Sequence, residues 1–350
     1  MSKLSKKLIL SVLTLVLTVV ALGATTFAWF TLGNEATVGQ ISGQITSGDG
    51  LEVRIAQGQV KRVLNGGSYE DEPITGYDAW YTSLPSSVLQ EFLGKKYNEA
   101  ASKLDLKGVT SENGRDIKNL NGYEAEYGSF IEFKLEIRSQ LETKVFLSDV
   151  NLTGEVVRWA SDHNFKLADG EDIFAHDGDA ALDNTNSVWV DPSTAARVSV
   201  QSDSKTIVYQ KPEIAEDLTA GSEVARNTIT DAGNKPSTYG AHDYYFVKNG
   251  SSIVPPLGEA FEVDENSGRL GLKDENEYTL VLPETVTGFN LDSMGDADAI
   301  LQLEDGGDGY YYGTVTVRIW IEGWDNEAYN SIFGLELFVG LSFAKKESNQ

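Results

Sequence analysis

The sequence contains no cysteine in 350 residues. This absence excludes disulfide bonds, thiolate metal sites, lipid-modified cysteines and cysteine nucleophiles. A chain of this length can bury a hydrophobic core without covalent cross-links, so the lack of disulfides does not stand in the way of a stable fold.

Histidine is scarce, with three residues at positions 163, 176 and 242, each followed by Asn or Asp. None belongs to an H-E-x-x-H sequence, in which two imidazoles one helical turn apart bind zinc. The G-x-S-x-G turn that presents a nucleophilic serine is also absent. Because these common hydrolase motifs are missing, we expect that the protein is not an enzyme.

Basic residues are few, since 28 Lys and Arg stand against 53 Asp and Glu, for a formal charge of −25. Surfaces that bind nucleic acid or anionic lipid need clustered basic side chains. We therefore expect no nucleic acid among the partners, and membrane contact only through an N-terminal leader that stays uncleaved. A strong like charge also opposes self-association at low salt, so assembly requires backbone pairing, apolar burial or bound cations.

The N-terminus has the order of a secretory leader. Lys3, Lys6 and Lys7 precede an apolar run from Leu8 to Leu32 that contains no charged residue. Small residues become frequent toward the end of this run, as they do before the cleavage site of a signal peptide.

The cleavage site is predicted from the triplet Thr26-Phe27-Ala28, which places small side chains before a scissile bond. This predicts a signal peptide over residues 1–28 and a mature chain that begins at Trp29. The alternative is an uncleaved anchor, because 18 or more uncharged apolar residues can also span a bilayer. Both interpretations export the rest of the chain, so we expect it to be secreted, extracellular or at the cell surface.

The remainder of the chain has the period-two pattern of β-strands. In "SFIEFKLEIRSQ" the residues Ile131, Phe133, Leu135 and Ile137 alternate with charged residues, and "GTVTVRIWIEGW" and "GLELFVGLSF" repeat the pattern. Many short alternating strands separated by Gly, Asn and Asp are typical of an antiparallel sandwich. We predict an all-β fold, a jelly-roll-like antiparallel β-sandwich, over residues 47–350 as one elaborated domain.

One segment departs from this pattern. "SVLQEFLGKKYNEAASKL" spaces Val88, Leu89, Phe92 and Tyr97 at roughly helical intervals. It predicts a helical insertion near residues 86–104 that packs on one edge of the sandwich. A second, shorter helix is predicted from residue 212.

Two acidic clusters are candidates for a calcium site, and the first, "HDGDAALDN", contains His176, Asp177, Asp179 and Asp183. The segment "GDADAILQLEDGGDG" contains Asp296, Asp298, Asp305 and Asp308. Oxygen ligands at short spacing suit calcium, the one cofactor that the sequence offers, although the segment does not fit the EF-hand pattern. Asp and Gly are also what ordinary turns use, and "EDGGDG" before a strong strand is typical of a hairpin loop.

The leader region resembles that of a known family. Thr26-Phe27-Ala28, Trp29-Phe30, Ala36-Thr37-Val38 and Ser42-Gly43 are similar to the processing region of the TasA and camelysin family. That family is exported by Firmicutes, which are Gram-positive bacteria, through a SipW-type signal peptidase. The resemblance covers about the first 45 residues and implies a jelly-roll subunit of biofilm matrix fibres, joined by an N-terminal strand that completes the sheet of the next subunit. Camelysin has been classed as a metallopeptidase, but this sequence lacks the ligand spacing for that activity.

Residues 29–46 are the candidate donor strand that the resemblance implies. Glycines at 33, 39 and 43 make this segment a poor autonomous strand, while apolar side chains recur along it, and the candidate assembly residues are Trp29, Phe30, Leu32, Val38, Ile41 and Ile45. Such a strand can enter a groove in another copy through main-chain hydrogen bonds. The expected partners are copies of the same chain and other matrix components. The alternative is that these residues form the first strand of their own sandwich, or a disordered stalk.

Two other classes of function remain open from the sequence. The first is a monomeric surface protein tethered by residues 8–32. The second is a secreted hydrolase or carbohydrate-binding module, for which Trp320, Trp324 and Tyr310–Tyr312 are candidate sugar-stacking side chains, although aromatic residues in a strand more often pack in a core.

Overall fold

The computed structural model describes residues 40–48, 50–97, 106–160, 165–166, 172–173, 187–210, 272, 276–281, 291–323, 325, 328, 332 and 334–346. The predicted leader and the helix predicted from residue 212 lie outside these ranges.

The described residues are mostly strands. Numbered in chain order, the strands are β1 Gln40–Ser47, β2 Leu51–Ile55, β3 Val60–Asn65, β4 Ser68–Pro73, β5 Ser83–Leu84, β6 Gly108–Thr110, β7 Lys118–Asn119, β8 Ile131–Ser139, β9 Lys144–Gly154, β10 Val157–Ala160, β11 Phe165–Lys166, β12 Asp172–Ile173, β13 Ser187–Val190, β14 Ala196–Gln201, β15 Thr206–Gln210, β16 Thr279–Val281, β17 Leu301–Gln302, β18 Glu304–Asp305, β19 Tyr311–Glu322 and β20 Glu336–Lys345. The helices are α1 Ser86–Tyr97 and α2 Pro192–Ala195, with single 3-10 turns at Leu291–Ser293 and Asp296–Asp298. The all-β prediction with a helical insertion is confirmed.

A nine-stranded sheet is built around the long strand β19. Strand β19 pairs with β14 on one side and with β8 on the other, and β8 in turn pairs with β2. The predicted alternation is confirmed in β8, where Ile131, Phe133, Leu135 and Ile137 are buried. Because successive side chains of a strand point to opposite faces, the core-facing side of β2, β8 and β19 is apolar. The other side carries charged residues, except where a second buried cluster with Val208 and Trp320 covers it.

A smaller sheet of five strands has the order β17-β9-β20-β1-β5. Its apolar residues join those of the nine-stranded sheet in one hydrophobic core. Strand β20 contributes Leu337, Val339, Leu341 and Phe343 to this core, as its alternation predicts.

Helix α1 is the helical insertion, and it begins at Ser86 as predicted. Leu89, Phe92 and Leu93 are buried and belong to the shared core. Lys96 follows them at helical spacing, and its Nζ donates a hydrogen bond to the carbonyl of Glu132, 2.6 Å away. Residues 98–104 of the predicted insertion lie outside the described ranges.

The sheets are mixed rather than purely antiparallel. Most pairs are antiparallel, as predicted, but β1 with β20, β15 with β16 and β19 with β6 are parallel. Parallel neighbours need a long crossover connection and leave no turn signal between them. For this reason the alternation in the sequence identified the strands but not these pairings.

The start of the sandwich differs from the predicted boundary. Residues 40–46 were assigned to an N-terminal extension, but in the structure they lie inside the five-stranded sheet of their own chain. Their weak strand propensity is overridden by tertiary pairing with β20, which context commonly does in sheets. The sandwich therefore already includes residues 40–46, and an extension can comprise only residues before residue 40.

Candidate assembly site at the edge of the small sheet

Strand β1 is the N-terminal described strand, and it lies beside the last one. It pairs with β20 in parallel over eight residues, from Gln40 opposite Glu336 to Ser47 opposite Phe343. Ile45 is 1% exposed and belongs to the core. The C-terminal half of β1 is therefore anchored in the sandwich by both its backbone and a side chain.

Further hydrogen bonds hold the end of β1 in place. The Ser47 amide donates to the carbonyl of Thr82 at 2.9 Å, and the Gly48 amide donates to the carbonyl of Phe343 at 2.7 Å. The Leu51 amide donates to the carbonyl of Gly48 at 3.0 Å, which closes the turn into β2. These backbone hydrogen bonds fix the C-terminal end of β1 to its neighbours.

The other end of β1 has an open edge. Strand β5 covers the side away from β20 only opposite Ile45 and Thr46. It is two residues long because Pro85 follows, which cannot donate a ladder hydrogen bond, and α1 begins at the next residue. In the described part of the chain, no strand pairs with residues 40–44 on this side.

The open edge has a sequence that does not discourage strand pairing, although helix α1, which follows β5 directly, also contacts β1. Its sequence, "QISGQ" from Gln40 to Gln44, has no charge and no proline. Natural proteins usually protect exposed edges with charges, prolines or bulges, because an unpaired row of backbone groups is a template for another strand.

The opposite edge of the same sheet is protected. Strand β17 covers β9 only at Lys144 and Val145. Beyond that point the register of β9 skips Ser148, which is a β-bulge, and Asp149 is exposed. A bulge and a charge both discourage strand pairing, so the β9 edge has two protective features that the sequence of β1 lacks.

The predicted assembly residues fall in two groups. Trp29, Phe30, Leu32 and Val38 lie outside the described ranges. Ile41 lies in β1 opposite Leu337, and Ile45 is a core residue that supports the monomer. The feature that sequence reasoning missed is the edge itself, since its signal, an uncharged stretch beside a very short partner strand, becomes visible only once the pairing is known.

The predicted processing residues Thr26, Ala28 and Trp29 also lie outside the described ranges, as do the three histidines and the first acidic cluster, at residues 176–183. None of the helices in the described part has the length and apolar character that a membrane crossing requires.

The calcium candidates Asp296 and Asp298 have local partners. Asp296 forms an ion pair with Lys144 at 2.7 Å, and this partner lowers the pKa of the Asp296 carboxyl. The Asp298 carboxylate accepts a hydrogen bond from the Gly295 amide at 2.6 Å. The Asp298 carboxylate stabilises its own turn, and the Asp296 carboxylate ties this turn to strand β9.

Asp305 and Asp308 serve the β18–β19 hairpin. Asp305 accepts from the Gly307 amide at 2.8 Å, and Asp308 accepts from the Tyr312 hydroxyl at 2.6 Å. The bond from Tyr312 lowers the pKa of the Asp308 carboxyl. Within the described ranges, no three His, Cys, Asp or Glu side chains come together in a way that could hold a metal ion.

The candidate sugar-stacking residues do not form a free platform. Trp320 is fully buried, and its Nε1 donates to Glu322 at 3.1 Å, while Trp324 lies outside the described ranges. A different tryptophan, Trp80, lies on the outer side of the large sheet. The guanidinium groups of Arg54 and Arg138 each lie 4.3 Å from its ring centroid, so its aromatic surface is engaged in cation–π contacts.

No protein-family model, no curated protein and no solved structure matches the chain.

Proposed function

We propose that the protein is a structural subunit of an extracellular fibre or biofilm matrix rather than an enzyme, exported after removal of residues 1–28. Residues 29–39 of one copy add as a strand to the open edge of β1 in the next copy. The observation that carries the proposal is the edge at residues 40–44, which is uncharged and which no described strand covers on one side, directly next to the segment that would supply the strand.

Strand addition suits this edge because main-chain hydrogen bonds provide the affinity and alternate side chains provide the specificity. The donor segment is rich in apolar side chains at Trp29, Phe30, Leu32 and Val38. The protected edge at β9 is a much poorer acceptor, since an added strand would meet the bulge at Ser148 and the charge of Asp149.

The geometry of such an addition favours a filament. Donor and acceptor are different surfaces, so the contact is head-to-tail and propagates unless its rotation closes a ring. The formal charge is −25, and the first 28 residues contain three lysines and no acid, which leaves −28 on residues 29–350. Pairing along an uncharged strand allows association despite this repulsion, and added salt weakens the repulsion further.

Deletion of residues 29–39 tests the proposal. The mature chain and the chain that begins at Gln40 are compared by electron microscopy and sedimentation velocity at moderate salt. We expect filaments from the first, and a folded protein that forms no filaments from the second. Filaments from the truncated chain, or a mature chain that stays monomeric at high concentration, would contradict strand donation.

A second experiment tests which edge accepts the strand. Gln44→Lys places a charge on β1, and Asn151→Lys places the same charge on β9. Each variant makes the protein less acidic, so lost assembly cannot result from greater charge repulsion. We expect the Gln44→Lys variant to form fewer or shorter filaments and the Asn151→Lys variant to match the wild type, whereas the reverse result would move the acceptor to β9.

A further inference from the structure

A two-stranded ribbon stands apart from both sheets. Strands β3 and β4 pair with each other over residues 60–73 and with no other strand in the described part of the chain. We call these residues the arm. Gly66 and Gly67 form its tip, and both have positive φ, at 59° and 93°, as a tight hairpin turn between twisted strands requires.

The two faces of the arm differ. Residues opposite each other in a ladder share a face, so Val60 with Pro73, Arg62 with Asp71 and Leu64 with Tyr69 form three rows on one face, which we call the outer face. On the other face Lys61 and Val63 are half-buried, and β3 also contacts α1.

The outer face is apolar and exposed. Val60, Leu64 and Tyr69 are 39%, 62% and 70% exposed. Tyr127, which is 38% exposed, extends the patch, because the Arg62 guanidinium lies 5.1 Å from its ring centroid and 5.9 Å from that of Tyr69. These four residues are a majority of the seven large apolar side chains that are exposed in the described ranges. Concentration of such side chains in one place marks an interaction surface.

The charged middle row of the outer face determines which kind of partner fits it. Arg62 and Asp71 lie side by side between two apolar rows, so the outer face presents one positive and one negative group. A surface with this pattern complements a copy of itself, provided that the copy is turned so that unlike charges meet.

We propose that the outer face of the arm binds the outer face of the arm in a second copy of this chain. The two copies are related by a two-fold axis that lies in the plane of contact, runs parallel to the strands and passes midway between β3 and β4. It places Arg62 of each copy over Asp71 of the other, Leu64 over Tyr69 and Val60 over Pro73. A two-fold axis across the strands is disfavoured, because it would place like charges on each other.

The size of the contact predicts a weak association. Six side chains a copy are far fewer than the 20 to 30 residues on each side of a stable protein interface. Weak contacts become effective when many copies are held in a row, because each further contact is then intramolecular. If the chain forms filaments as proposed above, the arms would join neighbouring filaments side by side, but the pairing itself does not depend on that proposal.

Charge-swapped variants of the mature chain test the pairing. Arg62→Glu leaves two acids in the middle row, and Asp71→Arg leaves two bases, so neither variant should bind itself. An equal mixture of the two restores unlike charges in both positions and should associate as the wild type does. The matched controls Lys61→Glu and Glu70→Arg make the same charge changes on the other face and should keep wild-type association.

Sedimentation velocity over a concentration series reads out pairing in solution, and electron microscopy reads out side-by-side contact between any filaments. We expect at least a tenfold weaker self-association of each outer-face variant, recovery in the mixture, and unchanged filament lengths. Self-association of either variant at the wild-type level, or no recovery in the mixture, would overturn the proposal. Loss of filaments in the chain lacking residues 29–39, with arm pairing retained in sedimentation, would separate this inference from strand donation.

Discussion

The hydroxyl groups of Thr46 and Ser342 lie 2.9 Å apart, although 296 residues separate them in the chain. They belong to the parallel pair of β1 and β20, which brings the first and last described strands together. The anchored part of β1 and its open edge are therefore consecutive parts of one strand, so folding of the monomer itself presents the candidate assembly site.

Replacement of Ile45 should destabilise the monomer. The side chain is buried against Leu89 and Leu93 of α1, so we expect Ile45→Ala to lower the free energy of unfolding by about 2–5 kcal/mol. Val156→Ala is the control, since Val156 is exposed and should change stability by less than about 0.5 kcal/mol. Urea denaturation followed by tryptophan fluorescence measures both, and equal effects would contradict the placement of Ile45 in the core.

Two truncations should locate the start of the domain. A chain that begins at Gln40 retains β1 and should unfold at the same urea concentration as the mature chain. A chain that begins at Gly48 loses the strand between β20 and β5 and should unfold at a lower concentration, because the β20 ladder and the Ile45 packing are lost. Similar stability of the two truncated chains would show that residues 40–47 are dispensable.

The ion pair between Arg197 and Asp325 should matter far more than surface pairs. Arg197 is fully buried, and its Nη2 lies 2.8 Å from the Asp325 carboxylate. Asp325→Ala leaves a buried charge without this partner and should cost about 3–5 kcal/mol of stability. Glu72→Ala breaks the exposed pair with Lys61 and should cost less than about 1 kcal/mol.

A double variant gives the second half of this test. Arg197→Met with Asp325→Leu replaces both charges by apolar groups and should recover most of the stability lost in Asp325→Ala. A double variant as unstable as the single one would indicate that the other hydrogen bonds of Arg197, to the carbonyls of Thr194 and Ala196, dominate its contribution.

The pKa of Asp308 should depend on Tyr312. The hydroxyl of Tyr312 donates to the carboxylate and lowers its pKa, so Tyr312→Phe should raise the Asp308 pKa toward its ordinary value. The interaction is present above the ordinary carboxyl pKa and is lost as the pH falls through the lowered one. Carboxyl carbon chemical shifts in an NMR pH titration report it. Tyr310→Phe keeps the backbone amide that donates to Asp308 and serves as the control. An equal rise of the Asp308 pKa in this control would contradict the role of the Tyr312 hydroxyl.

Processing of the leader is tested by a charge at the predicted cleavage site. Ala28→Glu should leave an unprocessed, membrane-held protein, because a signal peptidase requires a small side chain there. Ala36→Glu adds the same charge beyond the site and should be processed normally. Intact mass and N-terminal sequencing of the exported protein show whether and where the leader is cleaved. Released protein that begins at Met1 or Leu8 would contradict cleavage before Trp29.

Much of the candidate site could not be predicted from the sequence, for a physical reason. The alternation of Ile131 with Glu132 and of Val317 with Arg318 reports which face of a strand is buried, but it says nothing about which strand lies beside it. The family resemblance and the glycines at 33, 39 and 43 led to the expectation that residues 29–46 form an extension, and only pairing with β20 reveals that residues 40–46 belong to the sandwich. The open edge at residues 40–44 depends on the length of β5, which ends at Pro85, and on the parallel approach of β1 from the far end of the chain.

The sequence by itself determined the fold class, the strands of the core, the position of the helical insertion and the acidic, cysteine-free character of the chain, because these follow from local periodicity and composition. Only the tertiary structure decided that β1 pairs in parallel with β20, that Ile45 supports the core, that the four candidate calcium ligands serve turns and an ion pair, and that the arm exposes Leu64 and Tyr69. Each of these depends on contacts between residues far apart in the chain, or on how a side chain is oriented among its neighbours, and neither leaves a periodic signal in the sequence.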